Sequence, residues 1–169
     1  VGDRIVRALP SVEDAHVKCR FPAACTIAVT ERQPKALWID SQQGTEWWID
    51  EDGVVFPAGQ SSIDGIAVEG PLPTDEEGQL TEPVRNALAA LWKDGSSGVP
   101  KAFDYVPSRG LVFTDANGFR VILGTGGEMD QKLQILGLLT HTLGARGVSP
   151  KYVDVRYPEA PYYSTTNDW

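Results

Sequence analysis

The chain has 169 residues, 41% of them apolar, with a formal net charge of −8 and a pI near 4.7. That length allows one ordinary domain or two small ones, and the apolar share is enough for a core, which excludes wholesale disorder. The acidity and the lack of a long basic run argue against nucleic acid as a partner, and against charge-driven binding of the chain to anionic lipid.

No apolar run reaches the ~18–20 residues of a membrane span. The chain opens Val1-Gly2-Asp3-Arg4, with neither an initiating Met nor a signal peptide. The expectation is a fragment whose upstream elements, a membrane anchor among them, lie elsewhere.

Residues 3–9 read as a short helix ended by Pro10. Residues 14–20 read as a strand, Phe21-Pro22 as a turn, and residues 25–32 as an alternating strand. Cys19 and Cys25 flank that turn. Across such a hairpin their sulfurs can meet, and a disulfide would fit an oxidising, extracytoplasmic setting. Two buried, reduced cysteines are the alternative. A further strand covers 35–40, and residues 46–50 and 54–57 form a hairpin around Glu51-Asp52-Gly53.

Residues 57–80 are rich in Pro and Gly, crossed by a short strand at 66–69. Thr81 is placed to cap a helix over 82–94, with Val84, Ala87, Leu88, Leu91 and Trp92 as one apolar stripe. Gly95-Ser96-Ser97-Gly98 reads as a loop. Strands at 103–106, 111–115 and 119–123 follow, the last two joined around Asn117-Gly118. A second helix is expected at about 129–143, with Met129, Leu133, Leu136, Leu139 and Leu143 facing the core.

Tyr152 to Tyr157 alternates with period two. Tyr152, Asp154 and Arg156 would face one way, and Val153, Val155 and Tyr157 the other. Charged alternation of this kind is typical of a sheet edge, open to a partner's strand. Pro158 stops the strand, and residues 161–169 read as a mobile, polar and aromatic tail. The element order is α+β: helix and strands, then a mixed sheet with two helices on one side.

Signs of catalysis are weak. Gly124-Thr125-Gly126-Gly127 precedes a helix but lacks the Gly-Lys-Ser/Thr of a nucleotide loop, and Glu128 and Asp130 oppose a phosphate. A strand-to-helix turn is the better reading. Asp50, Glu51, Asp52 and Glu46 beside Trp47 and Trp48 invite a glycosidase cleft, against the commoner solvated turn. Trp38, Trp47 and Trp48 read as filling a junction between sheets. His16 and His141 lack a nucleophile in context and read as structural. No metal-ligand spacing is present, so neither a metal nor another cofactor is expected.

Several segments together resemble the extracytoplasmic region of the FtsQ/DivIB family of bacterial cell-division proteins. They are Leu9 to Val17, Phe21-Pro22 and Ile27 to Trp38, which match the family's POTRA module, and Trp48 to Phe56, which matches the hairpin opening its β domain. Gly118 to Gly124, Lys132-Leu133 and Tyr152 to Tyr157 complete the pattern. The strand and helix that begin the family's POTRA module have no counterpart here, and the cysteine pair is not part of the pattern.

The resemblance implies a partial POTRA module over 1–45, a β domain over 46–160 and a flexible tail over 161–169. It implies a non-enzymatic divisome scaffold on the extracytoplasmic side of a single-pass membrane protein. Its partners would be FtsB (DivIC) and FtsL, bound by strand addition at the last strand, with an influence on septal peptidoglycan synthesis. Neither nucleic acid nor a small-molecule substrate is implied. Arg156 and Tyr157 match partner-contacting residues, Pro158 and Glu159 follow them, Tyr152 and Asp154 lie on the same strand, and Arg109 matches a second basic contact. The family's aromatic contact in the tail has no clear counterpart, Tyr162 and Tyr163 being the candidates. The alternatives are a POTRA-containing chaperone or secretion component that holds extended peptides and, further off, a cell-wall hydrolase.

Overall fold

The computed structural model describes residues 1–60, 63–94 and 100–167. Helix α1 (Gly2–Ala8) stops just before Pro10 and lies against the first strand of a separate hairpin. That hairpin joins β1 (Val12–Arg20) to β2 (Ala24–Glu31), which among the described residues pair only with each other. The register sets Ala15 opposite Val29, Val17 opposite Ile27 and Cys19 opposite Cys25, so one face of the hairpin is apolar. Val12 and Ala15 are buried, while Ile27 and Val29 on the far strand stay more than half exposed. A disulfide joins Cys19 to Cys25 near the tip.

The rest of the chain builds one nine-stranded sheet. Its strands are β3 (Ala36–Asp40), β4 (Thr45–Ile49), β5 (Val55–Pro57), β6 (Ile66–Glu69), β7 (Ala102–Val106), β8 (Gly110–Thr114), β9 (Arg120–Gly124), β10 (Tyr152–Asp154) and β11 (Tyr162–Ser164). The spatial order is β11-β10-β9-β8-β7-β6-β3-β4-β5. The pairs β3–β6, β6–β7 and β9–β10 are parallel, and the others antiparallel.

Parallel neighbours need a crossover. Helix α2 (Glu82–Asp94) supplies it between β6 and β7, and helix α3 (Met129–Ala145) between β9 and β10. Both helices press on the same face, where Val84, Leu88, Met129 and Leu143 meet Trp38, Val68, Phe113, Val121 and Val153. The α+β architecture with two helices on one side is therefore as the sequence implies. The loop reading of Gly95 to Gly98 lies outside the described residues.

Four details differ from the sequence reading. The sequence places β3 with the N-terminal unit, but the strand pairs with β4 and β6 inside the large sheet. The break in sheet pairing thus falls between Glu31 and Ala36, not near residue 45. Trp38 fills no junction between sheets. It is fully buried under the helices, donates Nε1–H to the Gly70 carbonyl at 2.8 Å and meets Tyr105 edge-on. The tail is not wholly loose, because Tyr162–Ser164 add a strand to β10.

The fourth difference concerns Asp50, which is 4% exposed rather than solvated. Its Oδ1 accepts the backbone N–H groups of Asp52 at 3.0 Å and Val54 at 2.8 Å, which closes the β4–β5 turn. Its Oδ2 takes Arg32 Nη1 at 2.6 Å. Arg32 in turn donates Nε–H to the Pro10 carbonyl at 3.0 Å and its backbone N–H to the Ser11 carbonyl at 2.9 Å. One carboxylate therefore shapes a turn of the large sheet and fastens the hairpin to it.

Asp50→Ala leaves the Arg32 guanidinium without its charge partner and is expected to cost about 3 kcal/mol in urea unfolding. Asp50→Asn keeps an acceptor for the turn and should cost clearly less. The Cys19→Ser/Cys25→Ser pair is expected to speed amide exchange across 15–30 while leaving β7–β9 unchanged, because the hairpin shares no strand with the sheet core. Hydrogen-exchange mass spectrometry reads both regions at once.

Candidate docking edge

The residues singled out near the C-terminus meet at one rim of the sheet. Strands β7, β9 and β10 run the same way, so Val106, Gly124 and Asp154 end side by side. The β7–β8 turn carrying Arg109 lies at the same rim. Asp154 is the organiser. Its carboxylate accepts Arg156 Nε–H at 3.0 Å and Nη2–H at 2.8 Å, a two-pronged pair. Its Oδ1 also accepts the Arg156 backbone N–H at 3.0 Å, an Asx turn. Arg156 further reaches the Ser108 carbonyl at 3.4 Å. Hydrogen bonding to Asp154 raises the guanidinium pKa above its ordinary value, against a smaller opposing effect of burial.

The Asx turn settles the direction of Tyr157. Val155 still donates to the Ile122 carbonyl at 3.0 Å, and it is buried with Val153 under the helices. The side chain of Asp154 then claims the next backbone N–H, and the chain bends off the sheet. The alternation that would turn Tyr157 inward ends there, and Tyr157 is 64% exposed, with the Arg156 guanidinium over its ring at 5.7 Å.

Tyr152 is buried on the face away from the helices, with Val112 and Ile122, and Tyr162 meets its ring edge-on at 5.8 Å. Pro158 is half-buried, Glu159 exposed and Arg109 half-buried. Strand β10 is not the open edge that the sequence implies: β9 pairs on one side of it and β11 on the other. The outermost strand is β11, where Tyr162 and Tyr163 are exposed and Ser164 is buried. The run Tyr-Tyr-Ser-Thr-Thr after Pro161 carries the β propensity that marks it.

Lys132 has a structural part that sequence reasoning missed. It is 3% exposed and donates Nζ–H to the Thr125 carbonyl at 2.9 Å, tying α3 to the loop after β9. Burial lowers its pKa, opposed by the charges of Glu128 and Asp154. The Gly124–Gly127 segment is thus a strand-to-helix turn braced by a lysine. Asp50, the centre of the glycosidase reading, is occupied by three hydrogen bonds within the fold. Among the described residues, no group of three His, Cys, Asp or Glu side chains is spaced to hold a metal ion, and no helix is long and apolar enough to cross a membrane.

Residues 36–156 match the family described as cell division protein FtsQ/DivIB, C-terminal. That span begins at the first residue of β3 and ends on Arg156, so it takes in the sheet as far as β10. The chain belongs to this family. It is 28% identical to a cell division protein FtsQ of Salinibacter ruber over 80% of this chain and 56% of that protein. It is 29% identical to one of a Geobacter species over 89% of this chain and 57% of that protein. The FtsQ of Mycobacteroides abscessus is 30% identical over 95% of this chain and 48% of its own length. The chain thus spans about half the length of these relatives.

Gly124 has φ +77°, and a Cβ there would lie 2.9 Å from Arg156 Cγ. Arg156 cannot yield without loosening its pair with Asp154. Gly124→Ala is expected to cost about 1–2 kcal/mol from the left-handed backbone alone. A urea titration would check this, with the Arg156→Ala background removing the steric part of the penalty.

Proposed function

We propose that this chain is the extracytoplasmic part of a non-enzymatic division scaffold that binds its partners by adding their strand to β11. The observation that carries this reading is the end of the sheet. It closes on a short antiparallel strand, with Tyr157, Tyr162 and Tyr163 exposed on and beside it. Backbone ladder bonds supply register in such docking, and exposed aromatics act as anchors. Arg156, oriented by its pair with Asp154, and Arg109 in the β7–β8 turn stand at the rim where an acidic partner segment would pass. Family membership makes the coiled-coil division proteins FtsB (DivIC) and FtsL the expected partners, with control of septal peptidoglycan synthesis as the outcome.

The same reading places the chain outside the cytoplasm on a single membrane span carried by the full-length protein. The disulfide fits that compartment. The half-exposed Ile27 and Val29 fit a POTRA module whose opening strand and helix come from an upstream segment.

Tyr157→Ala should leave stability within about 0.5 kcal/mol, as an exposed side chain does, and should weaken binding of the partner's extracytoplasmic segment at least severalfold in a titration. Added partner should also slow amide exchange in 161–165, the signature of a new ladder. Full-strength binding by Tyr157→Ala together with unchanged exchange there would refute strand addition at this edge.

A further inference from the structure

The tip of the β1–β2 hairpin has no part in the docking edge. It turns at residues 21–23, where Phe21 is 99% exposed, the largest value among the large apolar side chains of the described residues. Pro22, Ala23 and Ala24 continue the apolar tip and are exposed as well. Lys18 and Arg20 stand beside it on the polar face, opposite Thr26 and Ala24. From Ala15 to Thr30 there is no acidic residue, in a chain of net charge −8. The disulfide between Cys19 and Cys25 pins the two strands directly behind the turn.

We infer that this tip is a contact for an anionic phospholipid surface, with Phe21 entering the headgroup boundary and Lys18 and Arg20 pairing with lipid phosphates. An aromatic flanked by cations is the chemistry of interfacial anchors, with an apolar body and a charged collar. The net acidity of the chain does not oppose it. At ~3.3 Å per residue, the tip stands about 25 Å from the Arg32–Asp50 junction. That is some three Debye lengths at physiological salt, roughly 8 Å each, so the acidic sheet domain is screened from the surface. The same asymmetry turns the hairpin, not the sheet, toward a negative surface.

The contact is weak by design of its size. Each cation near an anionic leaflet strengthens attraction roughly fivefold, and a single aromatic adds a comparable increment. Such a tip does not recruit a free protein, but it orients one already tethered nearby. Helix α1 starts beside Ala15 and runs back toward Val12, antiparallel to β1. The orienting role rests on the proposed membrane anchor; the lipid contact itself does not.

The test is NMR on the isotopically labelled, disulfide-intact chain with bicelles of phosphatidylcholine and a quarter phosphatidylglycerol, doped with spin-labelled lipid. Amide signals of Arg20 to Cys25 should relax severalfold faster than those of β7–β9. The effect should shrink in high salt and vanish in Phe21→Ser and in Lys18→Glu/Arg20→Glu. Uniform relaxation along the chain, broadening centred on Tyr157–Ser164, or a tip effect that survives Phe21→Ser would each overturn the proposal. So would a tip that ignores bicelles but shifts with soluble polyglutamate, which would assign it to an acidic protein partner. Partner binding at β11 is measured without lipid, so a failure here leaves that reading standing.

Discussion

The Asp154 carboxylate decides where the sheet ends. A strand continues for as long as its backbone N–H groups have carbonyl partners, and a nearby acceptor that is closer and charged takes them away. By claiming the Arg156 N–H, Asp154 stops β10 after three residues and releases the chain for the return as β11. The same carboxylate fixes the Arg156 side chain, whose stem lies across Gly124 and whose head reaches the β7–β8 turn. Three strand ends are thus held in one register by a single acid. With the carboxylate 13% exposed, solvent does little to weaken that pair.

Asp50 plays the corresponding part at the other end. Both acids sit where a strand must end, both accept a following backbone N–H at Oδ1, and both use the second oxygen to accept from an arginine. The difference lies in what the arginine reaches. Arg156 stays within the large sheet, whereas Arg32 crosses to Pro10 and carries the hairpin with it. An aspartate followed two residues later by a free backbone N–H is common, and its meaning depends on an arginine that the turn itself does not specify.

This explains which parts were legible in the sequence. The periodic segments were, because a stripe such as Val84, Ala87, Leu88, Leu91 or an alternation such as that of β9 states its own geometry. Asn117-Gly118 likewise announced its hairpin. The assignment of β3 was not legible, since its parallel partner β6 lies about thirty residues on, beyond a Pro- and Gly-rich loop. Nor was the inside of the Asp50 turn, where the deciding cation is 18 residues upstream. The facing of Tyr157 is open in the sequence, because alternation turns it inward only if the strand goes on, and a side chain ends it. Strand β11 was missed because three residues make a strand only when a partner already waits for them.

The two ends of the sheet are not equivalent as templates for another strand. At the far end, β5 is three residues long and its last is Pro57, which has no N–H to offer. The loop at Gly59 packs onto Trp48 behind it, and Trp48 meets Phe56 edge-on, so that rim is filled by the protein itself. At the near end, β11 contains no proline, and its exposed side chains are aromatic rather than the lysines that discourage pairing. A sheet that blunts one edge with proline and furnishes the other with tyrosines has two unlike edges, and the proposed strand addition falls at the one without proline. That asymmetry follows from Pro57, Tyr162 and Tyr163 alone.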